Sequence, residues 1–157
     1  MRAFSCLFLS TLALTQSAFG QTFQKSVACQ VHPASPQGQK QIFDKYIQAL
    51  YVERNAPKAF DNIVAADLIQ HNPAIADGFE AGLESLSGLL SNADLKITVF
   101  RITFEAPYGW LHGRLDGFLP NASALVDVFR FNGTCVQEHW DVIQERPATS
   151  QNPHPLF

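Results

Sequence analysis

The sequence predicts an α+β domain, because helical periodicity fills the first part of the chain and alternating strands fill the last. From Gln39 the residues Ile42, Phe43, Tyr46, Ile47, Leu50 and Tyr51 recur at three- and four-residue intervals, with Asp44, Lys45 and Gln48 between them. That spacing gives an amphipathic helix with one wide apolar stripe to bury. Towards the end, two runs rich in β-branched and aromatic residues, Leu125 to Phe131 and Thr134 to Gln144, flank Asn132-Gly133. Asn-Gly between such runs is the strongest local hairpin signal, since both central residues of a type I′ turn need positive φ. A helix lying across the concave face of a curved antiparallel sheet would enclose a central pocket.

The intervening elements follow in order. Pro57 fits the first turn of a second helix that continues through Phe60 and Ile63. The segment Ala66 to Pro73 leaves the helical pattern, because the residue before a proline is biased away from the α region. Asp77-Gly78 marks a turn, and Glu80 to Ser91 forms a third helix with Leu83, Leu86, Leu89 and Leu90 inward. Strands then run from Leu95 to Phe104, Tyr108 to Phe118 and Ser123 to Phe131 before the hairpin closes.

A chain of 157 residues with 46% hydrophobic and 16% charged content is one packed domain. The net charge is −3 and no basic run occurs, which argues against nucleic acid and anionic membrane surfaces as partners. The first residues read as a secretory signal over 1–20: Arg2 supplies the positive start, Ala3 to Leu14 the apolar core, and Ala18-Phe19-Gly20 the cleavage site. A tail over 21–37, a domain over 38–146 and a second tail over 147–157 complete the organisation. Export leaves Cys29 and Cys135, which either form a disulfide across the back of the sheet or remain unpaired thiols. Sequons at Asn121 and Asn132 fall at expected turns and are candidate glycosylation sites.

The hairpin sets an expected register. With Phe131 opposite Thr134, Asp127 faces Glu138 and Leu125 faces Trp140. If the preceding reversal centres between Leu119 and Pro120, His112 lies opposite Asp127 and Trp110 opposite Phe129. One face would then carry a row of His112, Asp127 and Glu138 on an apolar wall of Trp110, Phe129, Val136 and Trp140, while His139 and Asp141 point to the back. In that register His112 is either a partner of Asp127 or a satisfied core histidine.

The ordered motifs Leu-Ile-Gln-His-Asn-Pro (68–73), Asp77-Gly78, Trp-Leu-His (110–112), Val-Asp-Val-Phe-Arg (126–130) and Glu-His-Trp-Asp-Val (138–142) resemble the SnoaL-like polyketide cyclase family, over about residues 40–145. The resemblance implies the nuclear transport factor 2-like fold, a cone of curved antiparallel sheet with helices across its mouth. It also implies Asp127 as acid and base, supported by His112, with His71 near the pocket mouth. Proton removal next to a carbonyl followed by ring closure or isomerisation needs a tuned base, an oxyanion donor and apolar walls, and no metal or other cofactor. The expected site is therefore Asp127, His112 and Glu138, with His71, Trp110, Phe129, Trp140 and Tyr46 as pocket residues. The expected function is a secreted acid–base cyclase or isomerase acting on a small hydrophobic carbonyl compound. The alternative is a non-catalytic secreted protein of the same fold that binds a small molecule or acts as a dimeric interaction module. A homodimer through the back of the sheet is an assembly that this fold class allows, and the sequence leaves the oligomeric state open.

Overall fold

The computed structural model describes residues 25–157. The expected signal segment over 1–20 and the start of the first tail lie outside the described residues. Helix α1 (Pro36–Ile47) is capped by the Ser35 side chain, which accepts from the Gly38 amide, satisfying one of the free donors of the first turn. It runs straight into a π turn over Gln48–Val52, where the Glu53 amide donates to the Gln48 carbonyl. Short α2 (Ala56–Phe60) is capped by Asn55, and α3 (Phe79–Ser91) follows Gly78, whose φ of 101° suits glycine.

The strands are β1 (Val64–Gln70), β2 (Lys96–Glu105), β3 (Tyr108–Asp116), β4 (Ser123–Asn132) and β5 (Cys135–Glu145), in the order β1-β5-β4-β3-β2. The sheet is curved and open, and it is mixed rather than wholly antiparallel: β1, between α2 and α3, pairs parallel to β5. Phe43, Tyr46 and Leu50 of the long helix pack on Leu111, Leu125, Phe129 and Phe131 to form the core. Gly109 belongs to that contact, because a Cβ there would lie 2.6 Å from the Phe43 ring.

Both expected registers are corrected. On β3, Leu111 pairs with Asp127 and His112 with Val126, one residue from the anticipated alignment. The loop between β3 and β4 is too long to set register by itself, so burial decides. The inward row is Gly109, Leu111, Gly113 and Leu115, and a Cβ at Gly113 would lie 2.8 Å from the Thr98 carbonyl oxygen. Trp110 and His112 consequently lie on the outer face, where Arg101 Nη1 stands 2.9 Å from His112 Nδ1.

The correction on β5 has a different origin. Asn132 pairs with Cys135, and Phe131 with Val136, which leaves Gly133 and Thr134 as the turn, with φ of 54° at Gly133. Beyond it, Arg130 pairs with Glu138, Phe129 with His139 and Asp127 with Asp141. Gln137 is the extra residue of a β-bulge, and its amide donates to the Asp67 carbonyl and side chain at 3.0 Å each. One inserted residue inverts the alternation of the rest of the strand. Glu138 and Trp140 therefore turn outward, and His139 and Asp141 turn inward, the reverse of expectation.

Cys29 is bonded to Cys135 and also forms a parallel bridge with Ala65 of β1, so the N-terminal segment is stitched to the sheet edge. The bond closes a sequence separation of 106 residues. A loop of that size restricts the unfolded chain by about 3–5 kcal/mol. Replacing both cysteines by serine is expected to lower the unfolding free energy by about that amount, read from denaturant melts with and without reductant.

Candidate functional site

A cavity of about 260 Å3 opens between the long helix, α3 and the concave face of the sheet. Leu86, Leu89, Leu90, Ile97, Leu125 and Ile143 supply apolar wall, and Tyr46, Tyr51, Asn72, Asp127, His139 and Asp141 supply polar groups. Tyr46 and Tyr51 are five apart, a spacing that a regular α-helix would splay to different sides. The wider π turn after Ile47 brings Tyr51 round so that both phenols line the same cavity.

Asp127 is 4% exposed and has two different neighbours. The Tyr51 hydroxyl donates a hydrogen bond to Oδ2, and His139 Nε2 lies 3.5 Å from Oδ1. The other imidazole nitrogen, Nδ1, stands 2.7 Å from Gln70 Oε1, and the ring stacks on Phe129 at 5.0 Å. Gln70 Oε1 accepts a hydrogen bond from Nδ1–H, which orients the ring with Nε2 towards Asp127. Asn72 Nδ2 donates to Asp141 Oδ2 at 2.6 Å. Each of Asp127, His139 and Asp141 thus has one uncharged hydrogen-bond partner, and among the described residues no lysine or arginine lines the cavity.

Burial, and then the Asp127 carboxylate, pushes the phenol of Tyr46 above its ordinary range, and the same two causes act on Tyr51. Both therefore remain protonated donors over all ordinary pH. Tyr51 spends its proton on Asp127. Tyr46 is 3% exposed and faces the cavity, and among the described residues its hydroxyl takes no hydrogen-bond partner.

Of the expected site residues, Asp127, Phe129 and Tyr46 line the cavity and the others lie elsewhere. Glu138 is on the outer face, held by Arg130 Nε at 2.6 Å and His71 Nε2 at 3.1 Å. Hydrogen bonding to His71, then to Arg130, holds its carboxyl below the usual carboxylate range. Glu138 is thus a structural anion and no partner of Asp127. The His71 ring stacks on Trp140 at 4.2 Å outside the sheet, so it is the next residue, Asn72, that reaches the cavity. Tyr51, His139, Asp141, Asn72 and Gln70 are the site groups that pattern reading missed. The repeated inward glycines of β3 are a sequence signal for its register, whereas nothing local in Val-Gln-Glu-His announces the bulge.

The site sits in the fold class of nuclear transport factor 2-like proteins, which is the fold of this chain. Three solved structures illustrate the likeness. A nuclear transport factor 2-like protein of unknown function from Mesorhizobium loti is 12% identical, with a TM-score of 0.61, over 73% of this chain and 98% of that one. A putative ketosteroid isomerase from Kribbella flavida is 17% identical, with a TM-score of 0.59, over 77% and 88%. An LEH-like epoxide hydrolase from M. tuberculosis is 14% identical, with a TM-score of 0.51, over 69% and 84%. No protein-family model matches the chain, and no curated protein matches it.

The Tyr51 contact is testable by stability alone. Tyr51→Phe leaves a buried carboxylate oxygen without its donor, and the expected loss is about 1–3 kcal/mol in a urea melt at neutral pH. An unchanged melt would show that water replaces the phenol there.

Proposed function

We propose that this chain is an acid–base enzyme that moves a proton at carbon next to a carbonyl in a small apolar compound. The observation that carries the reading is the buried Asp127 carboxylate, set beside His139 and facing a cavity into which Tyr46 offers an unused hydroxyl. Asp127 takes the proton from the carbon, and the electron pair of that bond moves onto the carbonyl oxygen. Tyr46 donates to the oxygen as charge develops on it. Protonated Asp127 then returns the proton to another carbon, completing an isomerisation, or the enolate carbon attacks a second carbonyl and closes a ring. Apolar walls hold a flat substrate and exclude water that would compete for the proton.

Support for the fold-level part comes from neighbours named as an isomerase and an epoxide hydrolase, and a fold shared by several chemistries does not choose among them. The small volume favours a mono- or bicyclic compound over a larger ring system. We also propose that the chain is exported, on the N-terminal signal pattern and on a disulfide, which persists in oxidising compartments. Asn121 and Asn132 are both exposed and stay candidates for glycan attachment.

The test is solvent-proton exchange. A panel of small cyclic ketones and enones is incubated in D2O with the purified protein, and deuterium at the α-carbon is followed by NMR. Asp127→Asn is expected to lower exchange by about 10²–10⁴-fold, the range of a general base. Tyr46→Phe is expected to lower it by about 10²–10³-fold, as for loss of one oxyanion donor. His112→Ala, on the outer face, leaves it unchanged. Exchange that survives Asp127→Asn overturns the reading, and saturable binding of the same ketones without any exchange favours the binding protein of the alternative.

A further inference from the structure

The fold brings together three groups that the sequence scatters. Donor atoms of Asp127, His139 and Asp141 all lie within 4.8 Å of one another. Asp127 and His139 are buried and Asp141 is half-buried. His139 Nδ1 lies 2.7 Å from Gln70 Oε1, which leaves Nε2 turned towards Asp127 Oδ1 at 3.5 Å, so an imidazole nitrogen and a carboxylate oxygen converge on one point. Nearby Asp141 adds a second carboxylate, and among the described residues no lysine or arginine lines the cavity to offset the pair. Two carboxylates and an imidazole brought this close in a cavity without lysine or arginine make a donor set suited to a cation.

A second observation points the same way. Tyr46 is more than nine-tenths buried and aims an unpartnered hydroxyl into the same cavity, where it can bond to whatever fills the space beside Asp127. The outer partners also fit. Tyr51 donates to Asp127, Gln70 accepts from His139 and Asn72 donates to Asp141, so each of the three is oriented by a neutral group. Outer partners of this kind fix the rotamer and tautomer of metal ligands.

From this geometry we infer that Asp127, His139 and Asp141 form a binding site for a divalent cation of the zinc class, with a coordination position left open towards Tyr46 and the cavity. One imidazole nitrogen and two carboxylates suit a borderline ion better than a soft one, and three protein ligands leave room for water or a carbonyl oxygen. The inference goes beyond the proton-transfer function. Cation and proton compete for the same lone pairs of Asp127 and His139, so a loaded site has no free base. Binding releases any proton held on those atoms to solvent.

The experiment is a calorimetric titration of chelator-treated protein with Zn2+, repeated with Co2+ while the visible spectrum is recorded. Wild-type protein is expected to take up one ion per chain, and Co2+ to show the absorption bands of a low-coordinate N/O site. His139→Gln and Asp141→Asn, each checked for native fold by circular dichroism, are expected to bind at least about tenfold more weakly. His112→Ala retains full affinity. No saturable heat at roughly 1 mM Zn2+, or affinity unchanged in His139→Gln, overturns the site. Binding is read here without turnover, so a failed exchange assay leaves this test standing, and a failed titration leaves the acid–base reading standing.

Discussion

A single extra residue in β5 determines what this pocket contains. Gln137 sits in a bulge between two regular stretches of the β4–β5 ladder, with its amide held by Asp67 of β1. On the turn side of it, Val136 faces the core beside Phe131, and on the far side the parity of the strand is inverted. Every inward group after it follows from that inversion: His139 on Phe129, Asp141 opposite Asp127, and Ile143 in the cavity wall. Bulges recur near functional sites because they re-aim side chains without breaking the sheet. Here the consequence is a choice between an outward ion pair and an inward imidazole.

The same inversion gives the two faces different electrostatics. Outside, Glu138 is compensated by Arg130 and His71, with Trp140 stacked beneath the imidazole. Inside, two carboxylates and a histidine are held by Tyr51, Asn72 and Gln70 and by the contact of His139 with Asp127, with no lysine or arginine on the cavity wall among the described residues. The segment after β1 clasps the sheet edge between these environments, since His71 bonds on the outer side and Asn72 on the inner side. Its backbone is tied as well, by the His71 amide to the His139 carbonyl at 2.9 Å. The mouth of the cavity is thus anchored through neighbours of the very residue that carries the imidazole.

Burying a carboxylate is costly, and the long helix is shaped to meet that cost. A hydrogen bond to a charged acceptor is worth about 1.5–3 kcal/mol, and Tyr51 supplies one to Asp127 from a π turn. π turns are uncommon and recur at functional positions. In this chain the turn lets two tyrosines five residues apart serve one cavity, one committed to Asp127 and one free for a ligand.

Amino-acid pattern alone determined the α+β class, the helical stripe with Tyr46, the hairpin, the strand carrying Asp127 and the pair of cysteines. Those features depend on local periodicity and turn chemistry, which a chain writes into adjacent residues. Which side of the sheet each later residue occupies was settled only by tertiary structure. Side-chain alternation has a period of two, so one slipped residue at β3 and one bulge at Gln137 exchanged His112 and Glu138 for His139 and Asp141. The slip answers to burial of Leu111 and close packing at Gly109 and Gly113, and the bulge to a contact with Asp67, about seventy residues earlier in the chain. Both depend on partners distant in sequence, and the chemistry of the pocket was decided there.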